Sequence, residues 1–278
     1  MKTKIFTTAI VLIMYISGWA NNENVQSSFK FIPKVPSEIF IGRIIDATTL
    51  NKEQYQYMTT PFESVTISFS NNAKSVSIKP TREAMMAAVK AAFKAPTNID
   101  LGMSMRTLNS YDELQTLFGQ NLSVAKLLGK AEDWHKTHQT LALFDFTQVF
   151  LTLSMDMPDS PSREAADNHI YVNSISFGRH IIALVESDFA EADVKSAISA
   201  ALGAETKAVD VKTAAVLANS IIHIVNVSDA KELSVDPINP FTTVAAYLKA
   251  IPTIDNFGQV VTFSAVYLKD NSMFVNEY

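Results

Sequence analysis

Two stretches of extended character decide what this chain can become. Residues 141–157 and 169–186 both read as continuous strands, each about three times as long as an ordinary strand of ~5–6 residues. Shorter strands read at 64–69 and 75–78, around an Asn71-Asn72 turn, and at 99–108, 220–227 and 260–269. Helical spacing occupies the gaps. Pro80-Thr81-Arg82-Glu83 opens a helix carrying Met85, Val89, Ala92 and Phe93, stopped before Pro96, and residues 111–138 and 189–219 read as helices. Helices segregated around a few very long strands predict an α+β fold rather than alternating βαβ units. Eight glycines in 278 residues are too few for a barrel of many short hairpins.

Composition narrows the chemistry. There is no cysteine, which excludes a disulfide scaffold, a thiolate zinc site, a cysteine nucleophile and a lipidated amino-terminal cysteine. Basic residues number 23 and acidic ones 28, a net charge of −5, which disfavours non-specific nucleic-acid binding. Residues 1–20 combine Lys2 and Lys4, an apolar run over 5–16 and the small-residue ending Ser17-Gly18-Trp19-Ala20. This predicts a cleaved signal peptide, leaving 21–278 as a secreted folded domain, with an uncleaved anchor as the alternative. No P-loop, dinucleotide or G-x-S-x-G pattern occurs. His135 and His138, three apart with Asp133 close by, have a spacing that could resemble a metal pair, but they read as polar histidines on a solvated helix. The sequence predicts no enzyme and no cofactor.

Residues 188–219 satisfy two periods at once. As helix, Val194, Ile198, Ala201 and Leu202 form one face, and alanine, the best helix former, is abundant. With period two, Ala190, Ala192, Val194, Ser196, Ile198, Ala200 and Leu202 share one face, while Glu191, Asp193 and Lys195 fall on the other. After a turn at 203–207, Val209, Val211, Thr213, Ala215 and Leu217 alternate with Asp210, Lys212, Ala214 and Val216. The arms are about as long as the ~9–11 residues a tilted membrane strand requires. An apolar-out, polar-in hairpin fits the pattern, and so does an ordinary amphipathic helix pair. The hairpin reading puts Val194, Ile198, Ala200, Leu202, Val209, Val211 and Leu217 against lipid, and Glu191, Asp193, Lys195, Asp210 and Lys212 in the lumen. It expects Ile198→Asp to abolish a pore with the soluble fold nearly intact, and Ala197→Asp to be tolerated. Residues 111–140 are weaker: Leu114, Phe118, Leu122, Val124 and Leu128 share a parity with Asp112, Gln120 and Lys126.

Three ordered strings carry a resemblance. The run from Gln148 through Phe150 and Asp156 to Pro158 resembles the Q-I-F-Y-T-V-S-x-D-x-P strand of the cholesterol-dependent (thiol-activated) cytolysins. Tyr171 to Arg179, with Phe177, Gly178 and Arg179, is similar to their V-S-x-V-A-Y-G-R strand, and Tyr267-Leu268-Lys269-Asp270-Asn271 resembles their F-L-K-D-N, with tyrosine in place of the phenylalanine. The resemblance runs from about Ile41 to Tyr278. It implies the cytolysin and membrane attack complex/perforin fold: a bent, mostly antiparallel central sheet of long strands flanked by two helical clusters, here about 111–140 and 188–219, each able to unwind into a hairpin of a shared barrel.

The sequence departs from that family in two respects. The family's sheet-bending Gly-Gly pair falls at Val227-Ser228, and the only tryptophans are Trp19 and Trp134, so no tryptophan-rich loop is present. The family's membrane-binding domain would begin about where this sequence stops. The resemblance therefore implies a secreted pore-forming subunit that oligomerises on a lipid membrane with a longer, cytolysin-like partner, and it carries no implication of cholesterol binding by this chain. A non-lytic exported binding or adhesion module on the same fold is the alternative.

Overall fold

The computed structural model describes residues 38–50, 55–95, 101–118, 125, 128, 135–158, 162, 165–203, 209–227, 231–232 and 239–275. The expected leader over 1–20 lies outside them. Two long antiparallel strands, β6 (Thr140–Met155) and β7 (His169–Ser187), pair from Thr140↔Ser187 to Ser154↔Ser174, with a register shift between Val149 and Leu151. They are the two long runs of the sequence. Each has different neighbours along its length. The upper half adds β5 (Leu101–Thr107) beside β6 and β8 (Ser220–Asn226) beside β7, with the two-residue β9 (Lys231–Glu232) at Val225 and Asn226. The lower half adds β3 (Val65–Phe69) and β4 (Val76–Ile78) on the β6 side, and β10 (Gln259–Tyr267) against β7. The start of β7 also pairs with β1 (Ile44–Asp46), which pairs with β2 (Tyr57–Met58).

The halves meet at Gly178. A Cβ there would lie 1.7 Å from the Gln148 carbonyl oxygen, and Gly258, at φ +90°, would put one 2.1 Å from the Gly178 carbonyl oxygen. Only glycine allows these backbones to approach so closely. The close approach accounts for the glycine at Gly178.

Helices follow local chemistry. In α1 (Arg82–Ala92), Thr81 accepts the Ala84 N–H through its Oγ1 at 3.2 Å, and Met85, Ala88, Val89 and Ala92 are buried. α2 spans Tyr111–Phe118, α3 Glu191–Gly203 and α4 Val211–Ala218. The expected helical run to His138 is not continuous, since residues 135–138 are not helical. α5 (Phe241–Lys249) was not anticipated by the sequence reading.

The upper sheet is covered on both faces. Ile182 and Leu184 of β7 pack with Leu108, Tyr111 and Leu114. Their neighbours Ile181, Ala183 and Val185 point the other way, into a core with α3, α4 and α5. The fold is α+β, with an open, largely antiparallel sheet flanked by helices.

Candidate functional site

Both candidate segments lie between strands that are ladder neighbours: 111–140 joins β5 to β6, and 188–219 joins β7 to β8. The β7–β8 ladder runs right up to Ser187↔Ser220, so the second segment begins and ends at adjacent rungs.

In its packed state the second segment uses the helical period. Val194, Ala197, Ile198, Ala201 and Leu202 of α3 are buried, as are Thr213, Val216 and Leu217 of α4. Burial of each large aliphatic side chain contributes about 1.5–3 kcal/mol. Asp210 caps α4, accepting the Thr213 N–H at 3.0 Å and its hydroxyl at 2.6 Å. Glu191, Lys195, Asp210 and Lys212 are exposed, and Lys212 Nζ meets Asp193 Oδ1 at 2.6 Å on the surface, a contact worth under about 1 kcal/mol.

The residues expected to face lipid therefore divide. Val194, Ile198, Leu202 and Leu217 are buried and Val209 half-buried, while Ala200 is exposed and Val211 is 88% exposed. One expectation is corrected here. Ala197 is 3% exposed and Ile198 fully buried in the same apolar cluster, so a carboxylate at either position would have to be buried without a partner. Neither substitution spares the soluble fold, because the helix packs five residues where a strand face would use only alternate ones.

The first segment is held differently. Glu186, the second-last residue of β7, is 2% exposed and was not singled out from the sequence. Its carboxylate accepts hydrogen bonds from the Tyr111 hydroxyl, from the Thr137 N–H and hydroxyl, and from the His138 N–H at 2.8 Å. His138 Nδ1 lies 3.3 Å away. Burial works to raise this carboxyl, but the hydrogen bonds outweigh it and hold it below the usual glutamate value. One acceptor thus ties together the start of α2 and the chain returning into β6. The sequence signal was a lone acid among the buried apolar residues of a long strand. His135 is exposed and does not enter this node, and Asp133 lies outside the described residues.

The three motif strings come together at two structural points. At the base, Asn271, at φ +61°, accepts the Tyr171 hydroxyl at 2.9 Å and donates to the Pro158 carbonyl at 2.9 Å. Burial pushes the Tyr171 hydroxyl up to about 12. Lys269 pairs with Asp167, Asp270 accepts from Ser272, and Leu268 is buried. Asp156 is exposed beside β3. Where the two halves meet, Arg179 is 1% exposed and stacks between Phe150 and Tyr247 at 5.0 and 4.9 Å. Its Nη1 donates to the Tyr247 and Ala250 carbonyls at the end of α5, both at 2.6 Å. Gln148 is the residue directly opposite Arg179, and Phe177 packs on Phe257 at 5.5 Å. The strings lie at the junction of the two halves and at the base of the sheet.

No family sequence model matches the chain, and neither does any curated protein sequence. Solved structures do. Pneumolysin matches with a TM-score of 0.67 at 15% identity, over 86% of this chain and 58% of its own. Suilysin from Streptococcus suis gives 0.64 at 19%, over 84% and 58%. Listeriolysin O gives 0.63 at 15%, over 88% and 58%. The chain thus spans less than two thirds of the length of these toxins. Over the portion it spans, the chain has the cholesterol-dependent cytolysin fold.

Proposed function

We propose that this chain is a secreted pore-forming subunit whose segments 111–140 and 188–219 unroll into membrane-crossing hairpins once it is oligomerised on a target membrane. The observation that supports it is the register. Continued past Ser187 and Ser220, the β7–β8 ladder turns at Gly203 and Ala204. Continued past Thr107 and Ala142, the β5–β6 ladder turns at Val124 and Ala125. The β6–β7 ladder, continued past Thr140 and Ser187, brings Ala125 opposite Leu202. Three independent registers thus give two hairpins with level tips.

The same count agrees with the faces read from the sequence. Ile198 comes opposite Val209, Ser196 opposite Val211 and Ala190 opposite Leu217, on one face. Lys195 comes opposite Lys212, and Ala197 opposite Asp210, on the other. Glu205 and Lys207, on the apolar side opposite Leu202 and Ala200, fall at the tip, beyond the ~9–11 residues a bilayer needs, so this count moves Ala200 and Leu202 out of the lipid span and leaves Val194, Ile198, Val209, Val211 and Leu217 within it. In the first segment, directly opposed residues have opposite parity, so Leu122 joins Leu127 while Lys126 and Leu128 move to the lumenal side. That frees its apolar face of a lysine.

Two hairpins give four strands, fewer than the eight of the smallest membrane barrels, so one subunit cannot close a pore and several must combine. The surface address comes from a longer cytolysin-like partner. Among proteins that share the fold, suilysin is named a cytotoxin and intermedilysin a human-specific toxin.

The test supplies an address artificially: His-tagged chain is tethered to dye-loaded vesicles bearing nickel-chelating lipid. Wild type is expected to release dye when tethered. Val211→Asp, exposed in the packed state and lipid-facing in the hairpin, abolishes release without changing the unfolding temperature, and Lys212→Gln retains it. Equal release by both variants rejects the register. No release by tethered wild type, nor from intact cells, favours a non-lytic binding module.

A further inference from the structure

Resting on that reading, we infer that Lys136 lies between Glu113 and Glu191 in the inserted state and joins the two hairpins of one subunit through a single lumenal row of charges. The residue opposite Lys136 on the β5 side is Glu113, by continuation from Thr107↔Ala142, and on the β7 side it is Glu191, by continuation from Thr140↔Ser187. Residues directly opposed in an antiparallel pair point to one face, and this is the face of Lys195 and Lys212. The row reads minus, plus, minus across three adjacent strands. By the same count Glu132, outside the described residues, comes opposite Lys195.

The packed state does not contain this row. Glu113 accepts from the Asn109 N–H and side chain at 3.2 and 2.7 Å at the start of α2, and Lys136 is near enough to act on its charge. Glu191 opens α3, which packs on the opposite face of the sheet. Lys136 and Glu191 come together only when both segments have become strands. The pair therefore rewards simultaneous conversion of the two segments. It also fixes the register, because a one-residue slip carries Glu191 to the lipid side of Lys136.

Charge reversal tests this on the tethered vesicles. Lys136→Glu and Glu191→Lys each lower the rate of dye release about fivefold, and the double reversal restores it to within about twofold, since opposed opposite charges stabilise a strand pair and like charges oppose it. Unfolding temperatures in solution confirm that the variants fold. A second readout uses the absence of cysteine in the chain. Lys136→Cys with Glu191→Cys is expected to form an intramolecular disulfide in the membrane-bound form, detected as two fragments held together after proteolysis between β6 and β7. The offset pair Lys136→Cys with Ala192→Cys does not. Release by wild type with no rescue by the double reversal, or with equal cross-linking of the offset pair, overturns the row while leaving the pore reading in place. Absence of release by wild type overturns both.

Discussion

The two candidate segments sit on opposite faces of the same strand and are held by different physics. Residues 188–219 pack through an apolar stripe, with Val194, Ile198 and Leu202 buried against β7 and α5. Residues 111–140 are tied at both ends to the buried Glu186 carboxylate. Apolar burial is non-directional and roughly proportional to area, so the second segment can loosen in stages. A buried carboxylate with several donors is all-or-none in character, because each lost partner leaves a desolvated polar group behind. The two segments are therefore expected to answer to different perturbations, although they begin within a few residues of each other in space at Glu186 and Ser187.

The largest expected effect breaks the apolar side. Ile198→Asp places an unpaired carboxylate in the core and costs about 4 kcal/mol, measurable by denaturant unfolding. Ala197→Asp costs a similar amount. If either left stability unchanged, the packed position of α3 would be wrong.

A smaller effect isolates the polar side. Glu186→Gln keeps the shape but removes the charge from the node, and about 2 kcal/mol is expected to be lost. Hydrogen exchange should accelerate at 111–118 and 135–138 and not at 191–203. Equal acceleration in both would mean that the segments are not independently held.

The smallest effect comes from acid. The folded-state Glu186 carboxyl lies below its ordinary value, so its contribution is fully present above that ordinary value, about 4.5, and is lost as pH falls through the depressed folded value. Acidification should release the first segment before the second. Loss of α3 protection at the same pH as α2 would erase the distinction.

What could be read from the sequence follows the same division. The long strands, the capped helix α1 and the helix pair over 189–219 rest on periodicity and local capping, and the sequence shows both directly. The close approach at Gly178 shows in the sequence only as a glycine inside a strand, since the Gln148 carbonyl it meets is distant in sequence. Glu186 was missed because its donors come from Tyr111, Thr137 and His138, on the far side of a loop and a strand. Ala197 was misjudged because alanine serves either period, and only the partner surface decides which. α5 was missed because the stretch between the strands at 220–227 and 260–269 was not assigned, and its end is held by Arg179, distant in sequence.

The unbroken ladder up to Ser187 and Ser220 has a kinetic consequence. Starting a two-stranded sheet from coil is slow because the first contact must close a loop before any further hydrogen bond can follow. Here the seven rungs from Ile181↔Asn226 to Ser187↔Ser220 already exist. Unrolling α3 and α4 would be growth from a finished nucleus, one rung at a time, like a zip whose slider is already engaged. The barrier would then lie in the helices that must let go and not in the strands that must find each other.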